Sequence, residues 1–278
     1  MKQFLKKNLS NIVLCMILLA GCCLLLYPSV SNYWNSFHQS KAIASYAEKI
    51  AELDEEESEQ IWEKAAAYNR KLLESGNNNW KMTEEMQKEY EDILDVSGTG
   101  IMGYIEIPVI KVSLPIYHGV SESVLQVAVG HLPGSGFPVG GKGTHCALSG
   151  HRGLPSAMLF TNLDRLVVGD YFMINVLDQT LTYEVDQISI VEPDDSTCLS
   201  IEKDQDLCTL ITCTPYGVNS HRLLVRGHRI DNLKEAVRVT ADGIQINTKL
   251  VALVLAVPVI MLLFLITFIF VPKREEVK

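Results

Sequence analysis

Two nearly continuous apolar runs enclose a middle region whose hydrophobic pattern changes period once, near residue 100. The first run, Ile12 to Tyr27, follows Lys2, Lys6 and Lys7. The second, Leu250 to Val271, precedes Lys273, Arg274 and Lys278. A helix of ~20 apolar residues crosses a bilayer, so the second run has full spanning length and the first is marginal. Basic residues outside both runs place both termini in the cytoplasm and everything between them outside the cell. From Ser40 to Ser75 apolar residues recur at helical spacing, first Ile43, Tyr46, Ile50 and Leu53, then Ile61, Ala65, Tyr68 and Leu72. The acidic block Asp54 to Glu59 separates the two stripes and suits the start of a second helix. Thr83 is placed to cap a short helix through Met86, Tyr90 and Leu94.

Beyond Ser97-Gly98-Thr99-Gly100 the texture becomes strand-like. Met102 to Ile107, Ile110 to Tyr117, Thr144 to Ser149, Tyr171 to Val176, Leu181 to Val191, Leu207 to Cys213 and Arg222 to Arg229 are short runs bounded by Gly, Pro, Asn or Asp. Strands at this spacing predict a closed or nearly closed β-barrel of seven or eight strands. Two short helices are expected within it, from Ser121 to Val129 and from Asp194 to Ile201. The organisation predicted is an N-terminal anchor or signal segment (1–30), a helical region (31–100), a mainly-β barrel domain (101–230), a linker (231–248), a C-terminal transmembrane helix (249–272) and a cytoplasmic tail (273–278). The first segment has three readings: an uncleaved anchor, a cleaved signal, or a lipid-modified Cys22 in Leu19-Ala20-Gly21-Cys22. The chain stays apolar through Cys23 to Tyr27, which favours the uncleaved anchor and so two transmembrane helices.

Charge narrows the partners. Between Ser31 and Asn247 there are 17 Lys and Arg against 31 Asp and Glu, so nucleic acid and anionic surfaces are disfavoured. Cys146, Cys198, Cys208 and Cys213 lie in the exported part; Cys208 and Cys213 are five apart, which on one extended strand places them on opposite faces, so no bridge between them is expected. Gly136 and Gly141-Lys142-Gly143 approach a phosphate loop, but the hydroxyl after the lysine is missing and a strand follows instead of a helix. His145 and His151 flank Cys146 at a spacing that fits no common metal site. Neither a metal nor another cofactor is expected.

Thr209 to Cys213 is a β-favouring run that delivers a thiol to a loop, Thr214-Pro215-Tyr216-Gly217, from which Arg222 returns. His151 lies in Ser149-Gly150-His151-Arg152-Gly153, at a strand end opening into a glycine-flanked loop. A thiol, a proton donor and a fixed cation are what nucleophilic cysteine catalysis needs. On these residues alone a structural cysteine and a catalytic one both stand.

Three segments, MGYIEIPVIKVSLPIYHG (102–119), SGHRGLPSAMLFTNLDRL (149–166) and TLITCTPYGVNSHRLLVRGHR (209–229), resemble the sortases, and the Thr-Pro-Tyr-Gly after the cysteine resembles the class C, pilus-building type. The resemblance implies a closed eight-stranded barrel and a cysteine transpeptidase. It assigns Cys213 as the nucleophile on the Thr–Gly bond of an LPxTG-like sorting signal, His151 as the acid and base, and Arg222 as the oxyanion and substrate holder. It also implies partners: pilins or surface proteins with such signals, and a pilin lysine amine as acceptor. Attachment to a peptidoglycan amine, and a non-catalytic membrane-tethered interaction module, are the alternatives. Class C sortases commonly carry a lid with Asp-Pro-Trp or Asp-Pro-Phe; the nearest match here is Asn78-Asn79-Trp80, which keeps the aromatic and loses the other two.

Overall fold

Each strand after residue 100 has an apolar face to bury, and eight such strands bury it by closing on one another, while Thr144–Ser149 and Asp206–Thr214 are covered on the outer face as well. The computed structural model describes residues 2–75 and 82–232. Its strands are β1 (Ile101–Ile107), β2 (Val112–His118), β3 (Val129–His131), β4 (Thr144–Ser149), β5 (Tyr171–Val176), β6 (Gln179–Val191), β7 (Asp206–Thr214) and β8 (His221–Ile230). They form a closed barrel in the order β1-β2-β3-β4-β7-β8-β6-β5. β4 and β7 run parallel, with Cys146 opposite Cys208 and Ser149 opposite Ile211, so both strands end at the same rim of the barrel. The interior is filled by side chains such as Met102, Ile105, Phe172, Ile174 and Leu210.

The seven predicted strands are present, and β3 is an eighth between β2 and β4. The helix expected from Ser121 to Val129 shrinks to one turn, α4 (Glu122–Leu125), because Val129 is taken into the sheet beside Ile116. The helix expected from Asp194 to Ile201 is a 3-10 turn at Thr197–Leu199.

Three longer helices precede the barrel: α1 (Lys2–Ala51), α2 (Glu55–Ser75) and α3 (Glu84–Asp92). α1 is a single helix of 50 residues that passes through Pro28 without stopping. Glu55, Glu56 and Glu57 occupy the first turn of α2, where negative charge meets the positive end of the helix dipole. Thr83 Oγ1 accepts from Met86 N–H at 3.3 Å as the cap of α3. Met16–Ala51 is the one stretch among the described residues long and apolar enough to cross a membrane. The second predicted span, Leu250 to Val271, lies outside the described residues, as do Asn78, Asn79 and Trp80.

Each of these helices is tied to the barrel. Tyr46 of α1 donates to Met102 O at 3.1 Å and accepts from Leu177 N–H at 2.8 Å. Asn69 of α2 exchanges two hydrogen bonds with the backbone of Phe137, at 3.0 and 2.7 Å. Tyr90 of α3 places its hydroxyl 3.0 Å from His131 Nδ1 and accepts from Gly119 N–H at 2.9 Å. The His131 ring stacks on Phe137 at 5.2 Å.

Candidate active site

Cys213 is the penultimate residue of β7, on the strand face opposite buried Cys208. It is half-exposed, and β8 returns directly alongside it, so that Cys213 and Arg222 are register partners. Directly opposed antiparallel residues have Cβ atoms ~5 Å apart, close enough for a guanidinium to reach the sulfur's surroundings. Arg222 commits Nη1 to two carbonyls, Asn219 O of the β7–β8 loop at 3.3 Å and His221 O at the start of β8 at 3.2 Å.

His151 lies two residues beyond the end of β4, and the parallel β4–β7 pairing carries it to the same rim. Two contacts pin its backbone to the cysteine strand: Gly150 N–H donates to Ile211 O at 3.0 Å, and the buried Thr212 hydroxyl donates to Gly150 O at 2.7 Å. Gly150 has no room for a side chain, since a Cβ there would meet the Phe160 ring at 2.7 Å. Cys213, His151 and Arg222 line one pocket of about 320 Å³. Its floor is apolar: Ile211 of β7, Leu224 of β8 and Leu199 of the β6–β7 connection line it and pack in one cluster with buried Ala147. Its rim is acidic: Asp194 and Asp195 line it, and Glu122 Oε2 stands 3.7 Å from His151 Nε2. That nitrogen is buried and makes no hydrogen bond among the described residues. Two bonds from Thr197 hold the Asp195 carboxyl below its ordinary value.

Arg152, the next residue after His151, was not singled out by sequence. Its guanidinium reaches Thr214 Oγ1 at 3.2 Å and Asp164 Oδ2 at 2.6 Å, and lies over the Tyr216 ring at 5.9 Å from its centroid. It joins the histidine loop to the turn just beyond Cys213. Gly153, in the left-handed region at φ 76°, packs against the same tyrosine, where a Cβ would come within 3.0 Å of the ring. Under the pocket, His145 bonds Ser200 O through Nδ1 and Thr209 Oγ1 through Nε2, each at 2.8 Å. A carbonyl only accepts, so Nδ1 carries the proton and Nε2 accepts from the threonine. Burial pushes the His145 pKa below its ordinary value. Of the other histidines, His131 is buried in the core, and His221 and His228 are half-exposed, each beside a carboxylate.

A closed eight-stranded barrel with a strand-end cysteine, its opposed arginine and a histidine from a parallel neighbour, all on one pocket, defines a thiol-bearing barrel with the layout of a cysteine acyl-transfer site. Comparison with known proteins gives that class a name. A sortase domain model matches residues 105–230. A solved sortase C1 from Streptococcus agalactiae is 50% identical, covers 69% of this chain and 100% of its own, and superposes with a TM-score of 0.68. Sortase C from Streptococcus pneumoniae, whose structure is described as informing catalysis and pilin substrate specificity, is 43% identical over 69% of this chain and 97% of its own, with a TM-score of 0.62. Sortase D of Bacillus subtilis is 30% identical over 131 residues, 46% of this chain and 63% of that protein, so less than two thirds of this curated relative is matched. The chain belongs to the sortase family.

Proposed function

We propose that this protein is a cysteine transpeptidase of the class C, pilin-joining type. The observation that carries the reading is the shared pocket of Cys213, Arg222 and His151, set by the β7–β8 register and the parallel β4–β7 pair. Cys213 attacks the carbonyl carbon of the Thr–Gly bond in an LPxTG-like sorting signal. The tetrahedral oxyanion forms beside Arg222, whose fixed charge is worth most at such a point. His151 protonates the departing glycine amine, leaving a thioacyl enzyme, and later accepts a proton from the attacking lysine amine of a second pilin. The amide that forms joins two subunits, and water in place of the amine gives hydrolysis. The half-exposed thiol above an apolar floor supports binding of an extended apolar signal along β4, β7 and β8.

The structural neighbours that are C-type sortases favour a pilin lysine over a peptidoglycan amine as acceptor. α1 supports a membrane anchor, with the barrel outside the cell. Asn78-Asn79-Trp80 is proposed as a lid on this pocket by position in the family pattern alone. Incubation with a sorting-signal peptide should give a thioacyl adduct on Cys213, found by mass spectrometry. Cys213→Ala should give none. An adduct on another residue, or pilus polymers in cells carrying only Cys213→Ala, overturns the reading.

A further inference from the structure

Helix α1 has two faces with opposite contents. On one, Asn32, Asn35, Gln39, Ile43 and Tyr46 recur at helical spacing and meet the barrel. Asn32 Oδ1 accepts from Met158 N–H at 2.8 Å, Asn35 Nδ2 donates to Ser156 O at 2.8 Å, and Gln39 Nε2 donates to Val127 O at 2.6 Å. The first two bonds grip the loop that follows His151, and the third grips the segment after α4, whose Glu122 faces that histidine. On the other face, about half a helical turn away, Tyr27, Val30, Trp34 and Phe37 are exposed, Trp34 by 64%. Nothing in the barrel covers them.

The length of the apolar run says what does. A bilayer core takes ~20 helical residues, so a span entered at Ile12 leaves the hydrocarbon near Ser31. At ~1.5 Å per residue Trp34 then stands ~5 Å and Phe37 ~9 Å above that boundary. That is the headgroup layer, where amphipathic aromatic rings are favoured. Asn32 and Asn35 lie at the same height, and the Ser156–Met158 loop is bonded to them. Met158 is itself exposed. α1 runs without a break from the apolar segment to the barrel, so no flexible stalk separates the two.

We propose that the lipid headgroup interface is the partner of this surface. Trp34 and Phe37 are embedded in it, and the barrel is seated directly on the membrane with the loop after His151 at headgroup level. The active site is thereby held at a fixed, low height, open to peptides that emerge beside the anchor. This placement rests on the reading of α1 as a membrane anchor and is independent of the chemistry at Cys213.

The full chain is reconstituted in nanodiscs of zwitterionic phosphatidylcholine, which does not repel the acidic barrel, with co-migration of protein and lipid as the check that α1 is inserted. Tryptophan emission is then read with lipids brominated high on the acyl chain and, separately, with aqueous acrylamide. In Trp62→Phe/Trp80→Phe, the remaining Trp34 should lose most of its emission to brominated lipid and little to acrylamide. In the otherwise native chain, Trp34→Phe should remove the lipid-quenchable fraction, which keeps the test valid if the double variant does not fold. Inserted protein whose Trp34 is quenched by acrylamide alone overturns the proposal. Protection from both quenchers overturns it equally, because another protein segment or a second copy then covers the face.

Discussion

Arg152 is held on three sides, by Asp164, by the Thr214 hydroxyl and by the Tyr216 ring, and its Nε is buried without a hydrogen-bond partner among the described residues. It does not line the pocket of Cys213, His151 and Arg222, which makes it a positioning residue between His151 and the turn after Cys213. Replacing it with Gln removes the charge-assisted bonds and should cost about 1–3 kcal/mol of stability. Because near-attack geometry tolerates little displacement, turnover should fall by ~10-fold or more while the peptide KM changes less. Steady-state kinetics on a sorting-signal peptide read that split, and Arg152→Lys, which keeps charge without the fork, should restore only part. A loss confined to KM would place Arg152 in substrate binding instead. Sequence brought Cys213, His151 and Arg222 together through a family pattern. It left out Arg152 and Thr212 because the bonds that tie them to the site, Arg152 to Thr214 and Thr212 to Gly150, each span 62 residues, and nothing local marks a guanidinium or a threonine hydroxyl as bonded at that distance.

The β6–β7 connection, residues 192–205, is the element that shapes the pocket without belonging to the barrel. It is fastened at its far end by the His145 bond to Ser200 O and by Arg226, which reaches both Glu202 and Asp186 at 3.0 Å. The unfolded chain takes up a proton near the ordinary histidine value of 6.5, which the buried, neutral His145 resists until lower pH. Stability from this residue is therefore present above 6.5 and is lost as pH falls below it, by at most ~1.4 kcal/mol per pH unit. Melting temperature should drop on acidification between about pH 7 and about pH 5, and His145→Asn, which keeps a donor for Ser200 O, should flatten that slope. An unchanged slope would assign the acid sensitivity elsewhere. Strands as a class were legible, since runs such as Tyr171 to Val176 are β-favouring and end at turn residues. β3 was not, because three residues carry no periodicity, and its residues are strand only through Ile116 and Ser149 on either side. The single course of α1 was hidden as well: the change from an apolar run to an amphipathic pattern divides the sequence near residue 30, yet one helix runs through that boundary and through Pro28.

Taken whole, the molecule is a barrel gripped by three helices, each contributing a tyrosine to the contact, and the three hydroxyls are not equivalent. Tyr46 and Tyr90 are bonded on both sides. Tyr68 packs edge-on against Phe137, and its buried hydroxyl finds no partner among the described residues; burial, with a further contribution from Glu89, pushes its pKa up to about 12. Tyr90→Phe strands the Gly119 N–H and should destabilise the fold by about 1–3 kcal/mol. Tyr68→Phe removes a polar group that gains nothing from burial, so stability should hold or rise by up to ~1 kcal/mol. Denaturant midpoints of the two variants decide it, and equal losses would mean that both hydroxyls are satisfied.

Cys146 and Cys208 stand opposite each other on β4 and β7, fully inside the barrel, with burial holding the Cys208 thiol well above its ordinary value. Cys213 and Cys198 are reachable from solvent. The chain therefore carries its own clock. A small alkylating reagent added to native protein should mark Cys213 and Cys198 at once, and Cys146 and Cys208 only at the rate at which the barrel opens. At ordinary domain stability that delay is a thousandfold or more, roughly. Site-resolved mass spectrometry over time reads access to the pocket from Cys213, with Cys198 as an accessible reference outside it, and global unfolding from Cys146 and Cys208, in a single tube and without a label.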